Sequence, residues 1–488
     1  MKNLLISTYK EAIIYSLGNL ANRIIGFILL PLYTAYLTVE DYGVLGLIEP
    51  ISQVLVTVLV LGLNSAFLRW YSIETEGHRK QTIFFNINFI LIINTFLIVL
   101  ILTGISDGIA IFLFDTADSS LILKLSFLNV FFLVVNPIIF SLFRIEKKSG
   151  RFVIIQLIQF SINLLLNIIF IVHLQYGLLS IFMGQLISNA LVFIYFTPLF
   201  FKYSKFEFDF KLIKEFLLFG LPLIFVGISQ LVINLVNRYF LDIYDSLAVV
   251  GIFTFAFKIT NTIKVIVTES ITLSLSPVLY SKLSSADGYR FVKKNYIYTI
   301  LILMVLYIFV SSFGREMIYL ISQSEQYYDA YLYFPALAFL NVLAAMIYFH
   351  HILLIYKKKT LAVLYATILT ALISLMLNIL LIPVLTAHGA AFSIILSNII
   401  LFLLLKYFSQ KEYGKFYDDR KSLIIIVLGL GLTIVNFFYF NDLSFVNFFI
   451  KLLICSFYPF ILYSFNIFDP VELHNIKEQI QRILIQRK

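Results

Sequence analysis

Charge is scarce in this sequence. Asp, Glu, Lys and Arg make up 13% of its 488 residues, against about 25% in a soluble protein. It has one cysteine, Cys455, so no internal disulfide can form. It has no nucleotide-binding P-loop and no H-E-x-x-H pair, which argues against ATP hydrolysis and zinc-peptidase chemistry. The adjacent His350 and His351 read as interfacial side chains rather than metal ligands. No polar stretch is long enough to fold as a separate soluble domain. The alternating ~10-residue segments of a membrane barrel are missing as well. The expectation is an all-α polytopic membrane protein with no metal and no cofactor.

What fills the chain is apolar. Hydrophobic residues make up 61% of it, in runs long enough to cross a bilayer as helices. Fourteen such spans are predicted, at 12–37, 45–69, 82–104, 121–143, 152–172, 177–200, 213–241, 247–277, 292–313, 327–356, 360–383, 387–407, 422–440 and 445–465. Lys2 and Lys10 ahead of the first run resemble a signal peptide. The run is too long for one and lacks a cleavage site, so it reads as an uncleaved span.

The net charge of +9 is a topology signal rather than a nucleic-acid signal. On alternate connections and the termini lie 29 of the 36 basic residues, while the opposite loops carry Glu40, Asp41, Asp107, Asp115, Asp118, Asp242, Asp245 and Asp442. The positive-inside rule then puts both termini in the cytoplasm. Lys124 and Lys451, near outer span ends, are expected to snorkel to the interface. Arg23, Arg238, Lys258 and Lys264 fall inside predicted spans.

The chain also repeats. Leu164-Leu165-Leu166-Asn167-Ile168 matches Leu375-Met376-Leu377-Asn378-Ile379; Ser188-Asn189 matches Ser397-Asn398; Gly43 aligns with Gly251. These offsets correspond to six spans. An even repeat keeps both halves in one orientation about an axis along the membrane normal. The predicted organisation is a six-helix lobe at 1–205, a second at 206–410, helices 13 and 14 at 411–467, and an amphipathic cytoplasmic tail at 468–488.

Three stretches carry a resemblance. They are LGNLANRIIGFILLPLYTAYLTVEDYGVLGL (17–47), LGLNSAFLRWY (61–71) and FGLPLIFVGISQLVINLVNRYFLDIYDSLAVVGIFTFAFKI (219–259). With the span count, they make the chain resemble bacterial polysaccharide repeat-unit flippases of the multidrug/oligosaccharidyl-lipid/polysaccharide exporter superfamily. The resemblance implies two lobes around a cavity that opens alternately to each side. It implies a bacterial cytoplasmic membrane location and an undecaprenyl-pyrophosphate-linked oligosaccharide as substrate. Polysaccharide polymerase and glycosyltransferases are the implied partners, and a monomer is expected. Such families often have Asp-Arg-Tyr-Phe-Leu where this chain has Asn237-Arg238-Tyr239-Phe240-Leu241, so a role for that carboxylate has no carrier here.

A pyrophosphate suits fixed intramembrane cations. Arg23 lies about 17 Å into its span at 1.5 Å per residue, too deep to snorkel fully. Lys258 lies as far into a span that enters from the other side, and Lys264 is two turns closer to the cytoplasm. Arg69 stands at the inner mouth. Arg238 is expected near the outer interface, paired with Asp242 at i+4. These five are the candidate substrate ligands, each weighed against a plain structural or anchoring role. Glu49, placed near the outer mouth, and Glu269, on the Lys258 face of a regular helix, are candidate counter-ions or coupling carboxylates. Pro31, Pro50, Pro222 and Pro277 mark expected bends. Transport would then run on a proton or sodium gradient, the membrane potential or product removal. A multidrug cation antiporter of the same fold is the alternative; a membrane polymerase or acyltransferase is a more distant one.

Overall fold

The computed structural model describes residues 27–146, 148–269, 288–414, 417–440 and 442–465, with Leu275 and Leu279. Most of the first predicted span, Arg23, Pro277 and the 468–488 tail lie outside the described residues. The described chain is helical throughout, without a strand. It opens with α1 (Leu30–Tyr36), α2 (Val39–Leu59), α3 (Leu63–Ile73), α4 (Gly77–Gly104), α5 (Ser106–Phe114), α6 (Ser120–Ile145), α7 (Ser149–Ile168) and α8 (Leu179–Tyr203). The second half has α9 (Phe210–Leu235), α10 (Asn237–Tyr244), α11 (Leu247–Ile263), α12 (Gly288–Ser312), α13 (Gly314–Ile321), α14 (Phe334–Tyr356) and α15 (Thr360–Tyr413). Two further helices, α16 (Asp419–Tyr439) and α17 (Phe445–Ser464), close the described chain.

Eleven helical segments are long and apolar enough to cross a membrane, and α11 is a shorter apolar helix. One of the eleven, α15, is two helices joined at Thr386, whose backbone leaves the helical region (φ 48°, ψ −126°). Thirteen of the fourteen expected spans are thus present among the described residues, apart from the end of the eighth. Their outer faces carry large bare hydrophobics such as Phe438 (75% exposed) and Phe445 (77% exposed), a surface only lipid tolerates. The chain is a multi-pass membrane protein. Its connections alternate between an acidic end, with Asp115, Asp245 and Asp442, and a basic end, with Lys148, Lys202 and Lys357–Lys359.

Between helices in lipid there is little hydrophobic drive, so polar side chains and close packing hold them together. The first half uses a chain of carboxamides. Tyr33 donates to Asn167 (3.1 Å), Asn167 to Asn163 (3.0 Å) and Asn163 to Ser188 (3.3 Å). Gln159 donates to Asn189 (2.6 Å), and Asn189 to Asn129 (2.9 Å). These bonds stitch α1, α6, α7 and α8. Asn378 and Asn398 of the second half donate to the Ser374 and Ile394 carbonyls of their own helix, as Asn167 and Asn189 also do to Asn163 and Gln185, and the Asn378 Oδ1 has no partner among the described residues.

Four local expectations are corrected. The acidic corner Glu40-Asp41 is the first turn of α2, not a loop. Thr38 and Asp41 form a reciprocal capping box, and the positive helix end favours acids there. Pro50 sits inside α2, and the break in span two comes at Leu61 and Gly62 instead, both left-handed (φ 51° and 67°). Lys451 does not snorkel: it is fully buried and paired to Glu316 at 2.7 Å, which ties α17 to α13. His350 is buried too, bonded to Ser409 at 2.6 Å rather than lying at an interface.

Candidate functional site

The candidate site is the seam where the halves meet, chiefly α2 against α11. A methyl group on Gly43 would lie 2.1 Å from the Leu247 carbonyl oxygen. One on Gly251 would lie 1.8 Å from that of Val39. Only glycine lets the two backbones touch at these repeat-related positions. The seam at the acidic end is sealed further by Tyr42, buried edge-on between Phe255 (5.7 Å) and Tyr327 (5.6 Å). The Tyr327 hydroxyl donates to the carbonyls of Thr38 (2.7 Å) and Leu37 (3.1 Å).

From that crossing the two helices run side by side into the membrane. Glu49 lies six residues beyond Gly43, and Lys258 seven beyond Gly251, so they reach the same depth, about 15 Å from their helix starts. There they pair, Lys258 Nζ to Glu49 Oε1 at 2.8 Å, and each keeps about a quarter of its side chain exposed (25% and 27%). Lys258 Nζ also stands 5.2 Å over the Tyr42 ring. The expected place of Glu49 near the mouth is therefore wrong: α2 starts six residues earlier than the predicted span, which carries Glu49 inward.

Arg238 is 2% exposed and joins the same seam. Its Nη1 donates to the Gly46 carbonyl at 3.3 Å rather than to Asp242, and its guanidinium lies 4.9 Å over the Phe257 ring. Pro50 explains the acceptor. Lacking an N–H, it leaves the Gly46 carbonyl, four residues back, without its helical donor. The other half supplies one. Tyr239 next door donates to Leu47 at 2.7 Å. The Arg238 Nε and both polar atoms of the Asn237 side chain have no partner among the described residues. Arg238 and the Lys258–Glu49 pair thus meet α2 one turn apart, at Gly46 and Glu49.

The remaining candidates are dispersed. Lys264 opens a stretch of π-helix, Lys264–Glu269, and lines a small cavity with Asn234, Asn261, Asn341 and Asn398. That stretch changes the turn per residue, so the expected common face of Lys258 and Glu269 no longer follows from their spacing. The Glu269 side chain lies outside the description. Arg69 is exposed near the basic end, 5.0 Å over Trp70 and 5.0 Å over Phe219. Trp70 meets Phe216 and Phe219 edge-on (5.4 and 5.3 Å). Beside them, a methyl group on Gly220 would lie 2.0 Å from the Leu61 carbonyl oxygen.

Tyr42, Tyr327 and Gly46 were not picked out from the sequence. The Thr38-x-x-Asp41 cap pattern was the available signal. It moves the start of α2 to Val39, and with Gly43 aligned to Gly251 it sets Glu49 level with Lys258.

Comparison with known proteins bears on this geometry. The family model "Polysaccharide biosynthesis protein" matches residues 8–283. No curated protein matches the sequence. The fold is similar to that of a lipid II flippase, MurJ, in an inward closed conformation: TM-score 0.72 at 19% identity, over 93% of this chain and 98% of that one. It is similar to an inward-facing multidrug resistance MATE family transporter of the MOP superfamily: TM-score 0.66, 18% identity, over 82% and 94%. A MOP superfamily transporter from Pyrococcus furiosus, described as having a binding pocket of reverse polarity, gives TM-score 0.62 at 18% identity, over 83% and 95%. At these identities the likeness is one of fold.

Proposed function

This chain belongs to the polysaccharide biosynthesis protein family, and we propose that it carries a polyprenyl-pyrophosphate-linked oligosaccharide from the inner to the outer leaflet by alternating access. The observation that carries this reading is the Lys258–Glu49 pair with Arg238 meeting α2 one turn away, two cations and one carboxylate in the seam between the halves.

A pyrophosphate cannot cross hydrocarbon unaided, since an isolated ion there costs tens of kcal/mol by Born estimates. Fixed cations lower that barrier. With the acidic end sealed, the substrate arrives from the basic end. Its oxygens compete with Glu49 for Lys258, and each Lys258–oxygen bond they form is one the seam loses. A substrate that binds better when the seam is parted shifts the balance toward parting, by as much as that difference in affinity and no more. Arg23, Lys264 and Arg69 remain proposed contacts along the route. A multidrug cation antiporter would need a carboxylate available at this depth, and Glu49 is already held by Lys258. The driving force in this reading is a proton or sodium gradient, the membrane potential or product removal.

The test is flipping of a fluorescent polyprenyl-pyrophosphate oligosaccharide in proteoliposomes, read by quenching from outside. Wild type should expose the lipid; Lys258→Ala and Arg23→Ala should not, at equal insertion. Full flipping by both variants removes the cations from the mechanism, and no flipping by wild type under any gradient rejects the substrate. A bacterial cytoplasmic membrane orientation with both termini inside is part of the proposal. A reporter after Lys488 should then read cytoplasm, and one at Asp115 the exterior.

A further inference from the structure

One stretch of chain is built alike in both halves and covered in only one. α4 ends at Gly104 and α5 begins at Ser106; α12 ends at Ser312 and α13 begins at Gly314. The two breaks stand 208 positions apart, which is also the spacing of Gly43 and Gly251. Counted at that spacing, Phe96, Leu100 and Ile105 correspond to Met304, Ile308 and Phe313. The first three are each more than half exposed, and the last three are buried.

The closing hairpin makes that difference. α16 lays Gly429 on α12, so close that a methyl group there would lie 2.2 Å from the Met304 Cε and 3.5 Å from the Ile308 Cδ1. Seven residues further along α16, Asn436 donates to the Ser312 hydroxyl at 2.7 Å. Phe448 of α17 meets Phe313 at 5.2 Å. Among the described residues, no helix covers the first set in this way. The first half has instead a groove of about 380 Å³ in its lipid-facing side. Phe96 and Leu100 of α4, Leu128 and Phe131 of α6, and Ala190 and Phe193 of α8 line it. Phe131 and Phe193 are packed edge-on at 5.6 Å, so this wall is already set. Thr103 is the one hydroxyl in the lining. It donates to the Leu100 carbonyl at 2.9 Å, and its oxygen can still accept. It stands one residue from the level of Ser312. Close packing and interhelical hydrogen bonds are what hold helices together in lipid, and the groove offers both.

We propose that this groove docks a transmembrane helix of a partner membrane protein. The helix runs parallel to α4. It carries a glycine or alanine at the level of Phe96 and Leu100, and a side-chain amide or hydroxyl seven residues nearer the acidic end. Gly429 and Asn436 form that pattern on α16, but there it already faces α12. A second copy of this chain therefore does not present it, and the partner is a different protein. The groove belongs to α4, α6 and α8, so a docked helix stays clear of the α2–α11 seam.

Photocrosslinking of the full chain in the membrane of its own cells tests this, with benzoylphenylalanine in place of single phenylalanines. At Phe313 the probe gives the yield for a seated helix, and at Phe460, an exposed position on α17, the background from lipid. At Phe96 it should give a protein adduct near the Phe313 yield. Mass spectrometry should map that adduct to a transmembrane segment of another protein with the stated pattern. Ala190→Leu fills the groove and should lower the Phe96 yield about tenfold while leaving that at Phe313 unchanged. Lipid adducts alone at Phe96, as at Phe460, would overturn the proposal. So would an adduct to this chain, an adduct to a segment without the pattern, or a protein adduct that Ala190→Leu leaves intact. Should Ala190→Leu fail to insert, Thr103→Leu takes its place with the same two outcomes.

Discussion

The halves of this protein meet differently at its two ends. Toward the acidic end the contact is directional: a Lys–Glu pair, a guanidinium on a carbonyl freed by Pro50, and a tyrosine hydroxyl on two carbonyls. Toward the basic end it is made of rings, with Trp70 against Phe216 and Phe219 and Arg69 stacked over both Trp70 and Phe219. Directional bonds are lost within an ångström of sliding, whereas ring contacts tolerate it. Both ends share a tight glycine approach. The difference suggests an acidic end that seals or parts as a unit and a basic end that adjusts gradually.

The largest expected effect comes from filling the shared glycine contact. Gly251→Leu should cost the acidic seal about 3 kcal/mol or more, over 100-fold in its closed population. Thr254→Cys in a Cys455→Ser background, buried in wild type, should then react with an impermeant thiol reagent from the acidic side. Continued protection would mean that the backbone contact does not hold the seal.

Next comes the ion pair. Lys258→Ala strands Glu49, and because the pair is partly exposed the cost is discounted to about 2 kcal/mol. The double variant Lys258→Met/Glu49→Leu should restore thiol protection but not flipping. If it flips normally, the pair serves only the seal.

Pro50→Ala returns an N–H to the Gly46 carbonyl and makes it compete with Arg238. About 1 kcal/mol of seam energy should go, visible as severalfold faster labelling at Thr254→Cys. No change would mean that Arg238 keeps its bond beside a restored helical one.

The smallest effects belong to the basic end. Trp70→Leu should cost about 1 kcal/mol and Arg69→Ala about 0.5 kcal/mol. Both should speed labelling from the basic side alone. An equal rise at Thr254→Cys would show that the two ends move together, and the contrast between them would fail.

Much of the fold was legible because its signals are local or periodic. Apolar runs marked thirteen of the described spans, and the Gly43/Gly251 match marked two positions that meet at the seam. Lys258 stood out through its depth alone. Glu49 was named as a counter-ion but at the mouth, because a span drawn from hydropathy began at residue 45, past the charged turn Glu40-Asp41 that in fact opens α2. Pro50 was legible as a perturbation, but as a bend. Its consequence is a carbonyl that accepts from a residue 192 positions away.

The amino-acid sequence alone determined that this is a helical membrane protein built of many consecutive spans. In a bilayer no water is present to bond backbone groups, and a helix satisfies nearly all of them internally, so twenty apolar residues in a row already imply the element. The tertiary structure decided what the buried charges do. Whether Lys258 is a bare cation or half of a pair depends on a helix crossing set by two glycines far apart in the chain. Asn167 and Asn378 both bond back to their own helix, but only Asn167 also accepts from another helix, from Tyr33. Such choices rest on which surfaces meet, and no local pattern of residues encodes that.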